Sequence, residues 1–111
     1  MKIMTVKINQ DSWEIRMLKP DKKKLNPHEG SMFLGLTEYQ KGIISLRKGL
    51  SRSETRATII HELSHAFLFS FGYRVDDEES MCNFWGAQGD AICNMADKIM
   101  EKVGLCYQRM K

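Results

Sequence analysis

The first part of the chain has the short apolar runs that are typical of β-strands. Residues 2–8 mix β-branched residues with lysines, and residues 13–18 alternate apolar and polar side chains, as a strand with one buried face does. Residues 9–12 between them are common in turns. The pattern therefore predicts an antiparallel hairpin at the start of the sequence.

A second pair of strands is predicted after a polar segment. Residues 20–30 are charged and contain both prolines, which favours a mobile loop in which His28 is exposed. Residues 32–36 and 43–46 are apolar and separated by turn residues 37–42, so we expect a second antiparallel pair. The second strand of this pair, residues 43–46, ends just before the longest apolar segment of the chain. We therefore expect the edge of this strand to lie beside that segment.

The longest apolar segment predicts a helix over residues 53–71. Ser51 or Ser53 can cap its N-terminus. Glu54 falls in the first turn, where a carboxylate interacts favourably with the helix dipole, and Gly72 stands where a helix would end. Apolar residues cover most of the circumference, which is typical of a helix that packs on several sides.

A second helix is predicted over residues 77–103. The acidic cluster at residues 76–79 is typical of a helix start, and apolar residues then recur at helical spacing. Residues 104–111 are expected to form a loosely docked tail. The elements together predict an α+β fold in one domain, residues 1–111, with a small antiparallel sheet of about four strands followed by two packed helices.

The sequence His61-Glu62-Leu63-Ser64-His65 lies inside the first predicted helix. Side chains four residues apart project from one helical face, so His61 and His65 can direct ring nitrogens at one ion, and imidazoles suit zinc. Glu62 lies beside that face, where its carboxylate can take a proton from a metal-bound water. This is the arrangement of a zinc peptidase. The alternative is a metal-free core in which both histidines make ordinary hydrogen bonds.

A catalytic zinc takes three protein ligands and keeps one position open for water. No histidine follows His65 in the chain, so the third ligand is expected from the acidic or thiol side chains near the start of the second helix. The candidates are Asp76, Asp77, Glu78, Glu79, Cys82 and Asp90. Ligation by Cys82 would indicate a closed, structural site.

A packing argument favours Glu79 over Glu78. The two helices must approach closely, so the residue about one turn after the ligand should be small. That residue is Cys82 for Glu79 but the bulkier Met81 for Glu78. One position further, Asn83 can accept a hydrogen bond from the non-ligating nitrogen of a zinc-bound histidine. The predicted site therefore comprises His61, Glu62, His65, Glu79 and Asn83, with Glu78 as the alternative third ligand.

These residues resemble the small gluzincin-type zinc peptidases of bacterial mobile elements, namely the ImmA/IrrE group and compact phage and conjugative-element proteins similar to it. In that family a glutamate on the next helix follows H-E-x-x-H, with a small residue and an aromatic shortly after, as Glu79, Cys82 and Phe84 are placed here. The resemblance spans roughly residues 35–96. It implies a zincin-like domain with zinc on the predicted ligands and Glu62 as general base.

Composition adds limits to this picture. Apolar and charged fractions of 42% and 28% are those of a soluble globular protein, and no segment has the pattern of a membrane span or a signal peptide. A cytoplasmic location is expected, with Cys82, Cys93 and Cys106 reduced because no C-x-x-C pair is present. The net charge of +3 and the aromatic-free basic stretch at residues 22–24 argue against a nucleic-acid partner.

The predicted function is zinc-dependent hydrolysis of peptide bonds in a peptide or protein substrate, such as a regulatory protein in a bacterial or phage setting. An edge strand beside the metal suits an extended peptide, which can bind by main-chain hydrogen bonds. Tyr39, Tyr73 and His28 are candidates for stabilising the oxyanion. The alternative is a non-catalytic, zinc-bearing interaction protein, which the intact Glu62 argues against, because a structural site needs no glutamate between its histidines.

Overall fold

A four-stranded sheet and two long helices make up the α+β fold that the sequence predicts. The computed structural model describes the backbone of residues 1–109 and the side chains of residues 1–104. Its elements, in chain order, are β1 (Lys2–Ile8), β2 (Asp11–Leu18), β3 (Gly35–Glu38), β4 (Ile43–Arg47), α1 (Arg52–Phe71) and α2 (Glu78–Arg109).

The sheet is mixed, whereas the sequence predicted an antiparallel one. The strand order is β1-β2-β4-β3, and both hairpins are antiparallel, but β2 pairs with β4 in parallel. The two hairpins join through their second strands, which run in the same direction. Because β4 carries the buried Ile44 and Leu46, it lies inside the sheet and the more polar β3 takes the edge.

The edge beside α1 therefore belongs to β3, and the prediction that β4 would supply it is wrong. The strand also begins later than predicted, at Gly35, so that Met32 and Phe33 lie in the preceding loop with 62% and 41% of their surface exposed. Main-chain pairing decides this boundary, because Gly35 is opposite Leu46, close to the end of β4. Apolar character alone does not make Met32 and Phe33 part of a strand.

The predicted loop between the hairpins is held by one buried arginine. Arg47, on β4, is 7% exposed and donates hydrogen bonds to the main-chain oxygens of Pro20, Leu25 and Phe33 and to the side chain of Asn26. Leu25 is fully buried within a short 3-10 turn. The loop thus has a fixed course as far as Phe33, and His28 is exposed on it, as predicted.

Helix α1 begins and ends where the sequence indicates. The Ser51 hydroxyl accepts a hydrogen bond from the Glu54 main-chain nitrogen at 3.2 Å and donates one to the Glu54 carboxylate at 2.8 Å. At the other end, Gly72 has a φ of 71° and its N–H reaches the carbonyls of Leu68 and Phe69. A left-handed residue of this kind is most easily a glycine, and it turns the chain toward α2.

Helix α2 begins at the predicted acidic cluster but runs further than predicted. Asp77 accepts a hydrogen bond from the Ser80 main-chain nitrogen at 2.8 Å and so caps the helix. The helix continues through Gly104 to Arg109, beyond the predicted end at residue 103. A single helical glycine costs only about 1 kcal/mol, which the helix-forming residues around it offset. The final two residues of the predicted tail lie outside the described part of the chain.

The core lies between one face of the sheet and both helices. It comprises Val6, Ile8, Trp13, Ile15, Met17, Ile44, Leu46, Ile59, Leu63, Ala66, Phe67, Phe84, Ile92, Ala96, Ile99 and Val103. Within the described residues, neither helix combines the length and apolar character needed to cross a membrane. On α1, His61 is exposed and His65 half-buried, whereas Glu62 is buried.

Candidate metal and catalytic site

His61 and His65 lie one turn apart on α1, and their rings meet edge-on. The ring centroids are 4.9 Å apart and the His61 side chain is 69% exposed. Two imidazoles bound to one tetrahedral zinc, with Zn–N distances of about 2.0–2.1 Å, have centroids roughly 5 Å apart. The pair therefore has the spacing of two ligands on one ion, with the solvent access that a catalytic metal needs.

Glu62 points away from solvent, beneath the histidine pair. Its side chain is 8% exposed, and its Oε2 atom lies 3.8 Å from Nε2 of His61. Its Oε1 atom accepts a hydrogen bond of 2.9 Å from the hydroxyl of Thr37, on the edge strand β3. A buried carboxylate needs such a partner, because desolvation of an unpaired charge is expensive.

Room for this carboxylate depends on a glycine in β3. A methyl group at Gly35 would lie 2.9 Å from Cγ of Glu62 and 2.8 Å from Cγ2 of Thr58, both shorter than van der Waals contact. Gly35 and Thr37 are two residues apart and so share the face of β3 that is directed at α1. The strand therefore contributes a small residue and a hydroxyl donor, and Glu62 occupies the space between them and its own helix.

Tyr39 continues the same row of alternate residues, just after β3 ends. Its ring meets that of His65 edge-on at 6.4 Å and packs against that of Phe69 at 5.1 Å. Burial raises the pKa of the Tyr39 phenol, and the nearby negative charge of Glu62 raises it further. The phenol therefore stays protonated at neutral pH and is available as a hydrogen-bond donor beside the histidine pair.

Two concavities lie near the motif, a mainly apolar one beside His61 and Glu62 and a mainly polar one at the hairpin turns. A concavity of about 390 Å³ lies between the loop that carries Met32 and Phe33 and the α1 residues that include His61 and Glu62. Another, of about 400 Å³, lies between the two hairpin turns and Phe69. Several of the exposed large apolar side chains border these two concavities, namely Met32, Phe33, Tyr39 and Phe69.

The predicted third ligand does not join the histidine pair in this structure. Glu79 and Glu78 are both exposed in the first turn of α2. Within the described part of the chain, no three His, Cys, Asp or Glu side chains are grouped closely enough to hold a metal ion. The structure therefore brings His61, Glu62 and His65 together, and it does not distinguish Glu79 from Glu78.

The other residues considered for the site also lie apart from it. Asp77 is engaged in capping α2, and hydrogen bonds from the main chain and hydroxyl of Ser80 lower the pKa of its carboxyl. Asn83 is exposed, and none of the hydrogen bonds described for residues 1–104 joins it to a motif histidine. Cys82 is an exposed free thiol and Cys93 a half-buried one; Cys106 lies beyond the described side chains.

Sequence reasoning missed two contributors, Thr37 and Gly35. The sequence pattern places Thr37 in the turn over residues 37–42, whereas β3 runs to Glu38, so that Gly35 and Thr37 occupy alternate positions of one strand. A small residue and a hydroxyl residue at alternate positions are common in strands. They are connected with the site only because β3 packs on α1. Comparisons with protein-family models, curated proteins and solved structures gave no match to this chain.

Proposed function

We propose that this protein is a zinc-dependent metallopeptidase in which Glu62 is the general base. The observation that supports it most strongly is the pairing of two imidazoles at ligand spacing with a buried carboxylate directly beside them. A histidine pair in ordinary structural hydrogen bonds has no need of a carboxylate held under its exposed face. The open surface above His61 leaves room for a substrate carbonyl.

His61 and His65 supply two of the zinc ligands, and Glu79 supplies the third, with Glu78 as its alternative. A zinc ion held by these residues would supply Lewis acidity, which would activate a water and polarise the scissile carbonyl. Glu62 accepts the proton of the attacking water and returns it to the leaving amine. Tyr39, whose ring meets that of His65 edge-on, would donate a hydrogen bond to a substrate oxygen.

The substrate is an extended segment of a peptide or protein that lies along β3. Among the described residues, the free edge of β3 has no partner strand, and one face of β3 meets the motif helix through Thr37. An extended peptide can add to such an edge through main-chain hydrogen bonds. The apolar surfaces at Phe33 and Phe69 favour apolar side chains on either side of the cleaved bond.

The alternative is a zinc-bearing interaction protein that binds a regulatory protein without cutting it. Both proposals place the protein in the cytoplasm, where the free thiols of Cys82 and Cys93 would stay reduced. They differ in what Glu62 does, since an interaction protein does not need its carboxylate for chemistry. Glu62→Gln therefore separates the two proposals, because glutamine is nearly isosteric but a far weaker base.

The experiment is cleavage of a mixed peptide library by zinc-loaded protein, with products identified by mass spectrometry. Wild type should cut the library, and Glu62→Gln should lose at least about 1,000-fold in rate while it retains zinc. Glu29→Gln, in the exposed loop, is the matched control and should cut like wild type. Cleavage by Glu62→Gln at the wild-type rate would contradict the assignment of the base.

A further inference from the structure

The hydrogen bond between Thr37 and Glu62 distinguishes the two oxygens of the carboxylate. The Thr37 hydroxyl oxygen lies 2.9 Å from Oε1 of Glu62 and 3.3 Å from the main-chain oxygen of the same residue. A hydroxyl donates one proton, and a charged acceptor at the shorter distance forms the stronger bond. The proton therefore goes to Oε1.

The second oxygen, Oε2, is directed toward the histidine pair. It lies 3.8 Å from Nε2 of His61. Because Oε1 is held by Thr37, rotation of the carboxylate about its last bond is restricted. One oxygen is thus fixed against β3 while the other keeps its lone pairs available.

The donor itself is held firmly. Thr37 lies within the ladder between β3 and β4, opposite Ile44, whose side chain is buried in the core. A β-branched side chain on a strand has few accessible rotamers, so the hydroxyl position follows from the backbone position. Gly35, on the same face of β3, leaves the space through which the Glu62 side chain reaches that hydroxyl.

We propose that Thr37 is the positioning residue for the general base: its hydroxyl binds Oε1 of Glu62 and so presents Oε2 to the water beside His61 and His65. The inference rests on the proposed peptidase function. The Thr37 hydroxyl is hydrogen-bonded to Glu62, and it acts through the orientation of that carboxylate. A proton acceptor in the wrong orientation slows the chemical step without weakening substrate binding.

The first test compares Thr37→Val, which keeps the shape but removes the hydroxyl, with Thr37→Ser, which keeps the hydroxyl. We expect Thr37→Val to lower kcat by about 10–100-fold with KM changed less than about twofold, and Thr37→Ser to restore most of kcat. Thr58→Val is the matched control, because its hydroxyl donates to the Glu54 carbonyl within α1 and it also packs beside Gly35. An equal loss in Thr37→Val and Thr37→Ser would overturn the proposal.

The second test is a double-mutant cycle with Glu62→Asp, whose shorter side chain does not reach Thr37. Residues that act as a unit are not additive, so adding Thr37→Val to Glu62→Asp should cost less than about twofold more in kcat. If the full loss seen in the wild-type background appears again, Thr37 acts independently of Glu62. That result would also overturn the proposal.

A third measurement needs no activity. In metal-free protein at fixed pH, the carbon-13 resonance of the Glu62 carboxyl group should shift in Thr37→Val and stay in place in Thr37→Ser and Thr58→Val. An unmoved resonance in Thr37→Val means that the hydrogen bond is absent and the positioning role fails. The expected shift, with no peptide cut by zinc-loaded wild type, means that the proposed function fails and the hydrogen bond has only a structural role.

Discussion

At the scale of single residues, the site depends on the close approach of β3 to α1. Glu62 is 6% exposed although it is a glutamate, and the space for its side chain exists because Gly35 has no side chain. The same glycine lets β3 approach closely enough for Thr37 to reach the carboxylate at 2.9 Å. Loss of this close approach should therefore affect stability and chemistry together.

Substitution of Gly35 by alanine tests this point. The added methyl group would meet Glu62 Cγ at 2.9 Å and Thr58 Cγ2 at 2.8 Å, so the strand or the helix must move. We expect a loss of about 1–3 kcal/mol in the free energy of unfolding, measured by urea denaturation, and a lower kcat. Gly86→Ala is the control, since nothing lies near that position in α2, and should gain about 0.5–1 kcal/mol. Unchanged stability in Gly35→Ala would contradict the close approach.

At the residue scale, the sequence predicts which side chains lie together only where they are close in the chain. His61, Glu62 and His65 lie within five residues of one helix, so helical periodicity alone brings the histidines to one face and places the glutamate beside it. Thr37 is 25 residues before Glu62 in the chain. Its role arises only when an edge strand packs on a helix, and no local pattern specifies which strand that is.

At the scale of elements, the end of β3 is fixed by an ion-pair network at Glu38. Its carboxylate lies 3.1 Å from the amine of Lys24, in the loop before the strand, and 3.4 Å from that of Lys41, in the turn after it. Burial acts to raise the pKa of Glu38, but the two lysines outweigh it and hold the pKa below the usual range. The Glu38 side chain thus connects the loop before β3 with the turn after it.

The stabilisation by Lys24 should depend on pH. Because the folded-state pKa of Glu38 is lowered, the ion pair stabilises the protein above the unfolded-state pKa of about 4.3 and loses this effect as pH falls through the folded-state value. Lys24→Gln should therefore reduce the free energy of unfolding by less than about 1 kcal/mol at neutral pH, because the amine is half exposed. In acid, with Glu38 protonated, the difference from wild type should disappear.

Urea denaturation at several pH values measures this difference, with Lys23→Gln as the control. Lys23 is an exposed neighbour in the same loop and has no ion pair among the described side chains. A deficit in Lys24→Gln that stays constant from neutral pH to acid would contradict the assignment. A deficit of equal size in Lys23→Gln would show that general charge, and not the pair with Glu38, is responsible.

Element types were predictable from sequence, but their arrangement was not. The alternation at residues 13–18 and the caps at Ser51 and Gly72 are local signals, and the structure places β2 and α1 accordingly. The parallel pairing of β2 with β4 depends on whether β3 or β4 is buried more completely in the sheet, because the more buried strand takes the inner position beside β2. That competition is settled by packing against both helices, which the pattern of a single strand does not encode.

At the scale of the whole molecule, the proposed metal site would join two helices that share the core but whose candidate ligands are not grouped in the described part of the chain. Helices α1 and α2 are linked by Arg56 and Asp97 at 3.0 Å and by a shared core, but the exposed first turn of α2 is not grouped with the histidine pair. Ligation by Glu79 would bring this first turn toward His65. Zinc binding should then change the surroundings of both segments.

Backbone NMR during zinc titration checks this expectation. Amide resonances of residues 61–65 and of the first turn of α2 should shift together, and Glu79→Gln should weaken zinc binding by about 10-fold or more. Glu78→Gln is the matched control, an adjacent exposed carboxylate, and should bind like wild type. Shifts confined to α1, with equal affinity in both variants, would contradict a ligand from α2.

The central claim is that His61 and His65 hold a zinc ion, and zinc content per chain tests it most directly. Metal-free protein is loaded with zinc, dialysed in metal-controlled buffer and measured by elemental analysis. The account predicts close to one zinc per chain in wild type and in His28→Ala, whose histidine is exposed in the loop between the two hairpins, and loss of zinc in His65→Ala. Wild type that takes up no zinc, or His65→Ala that keeps it, would contradict the account.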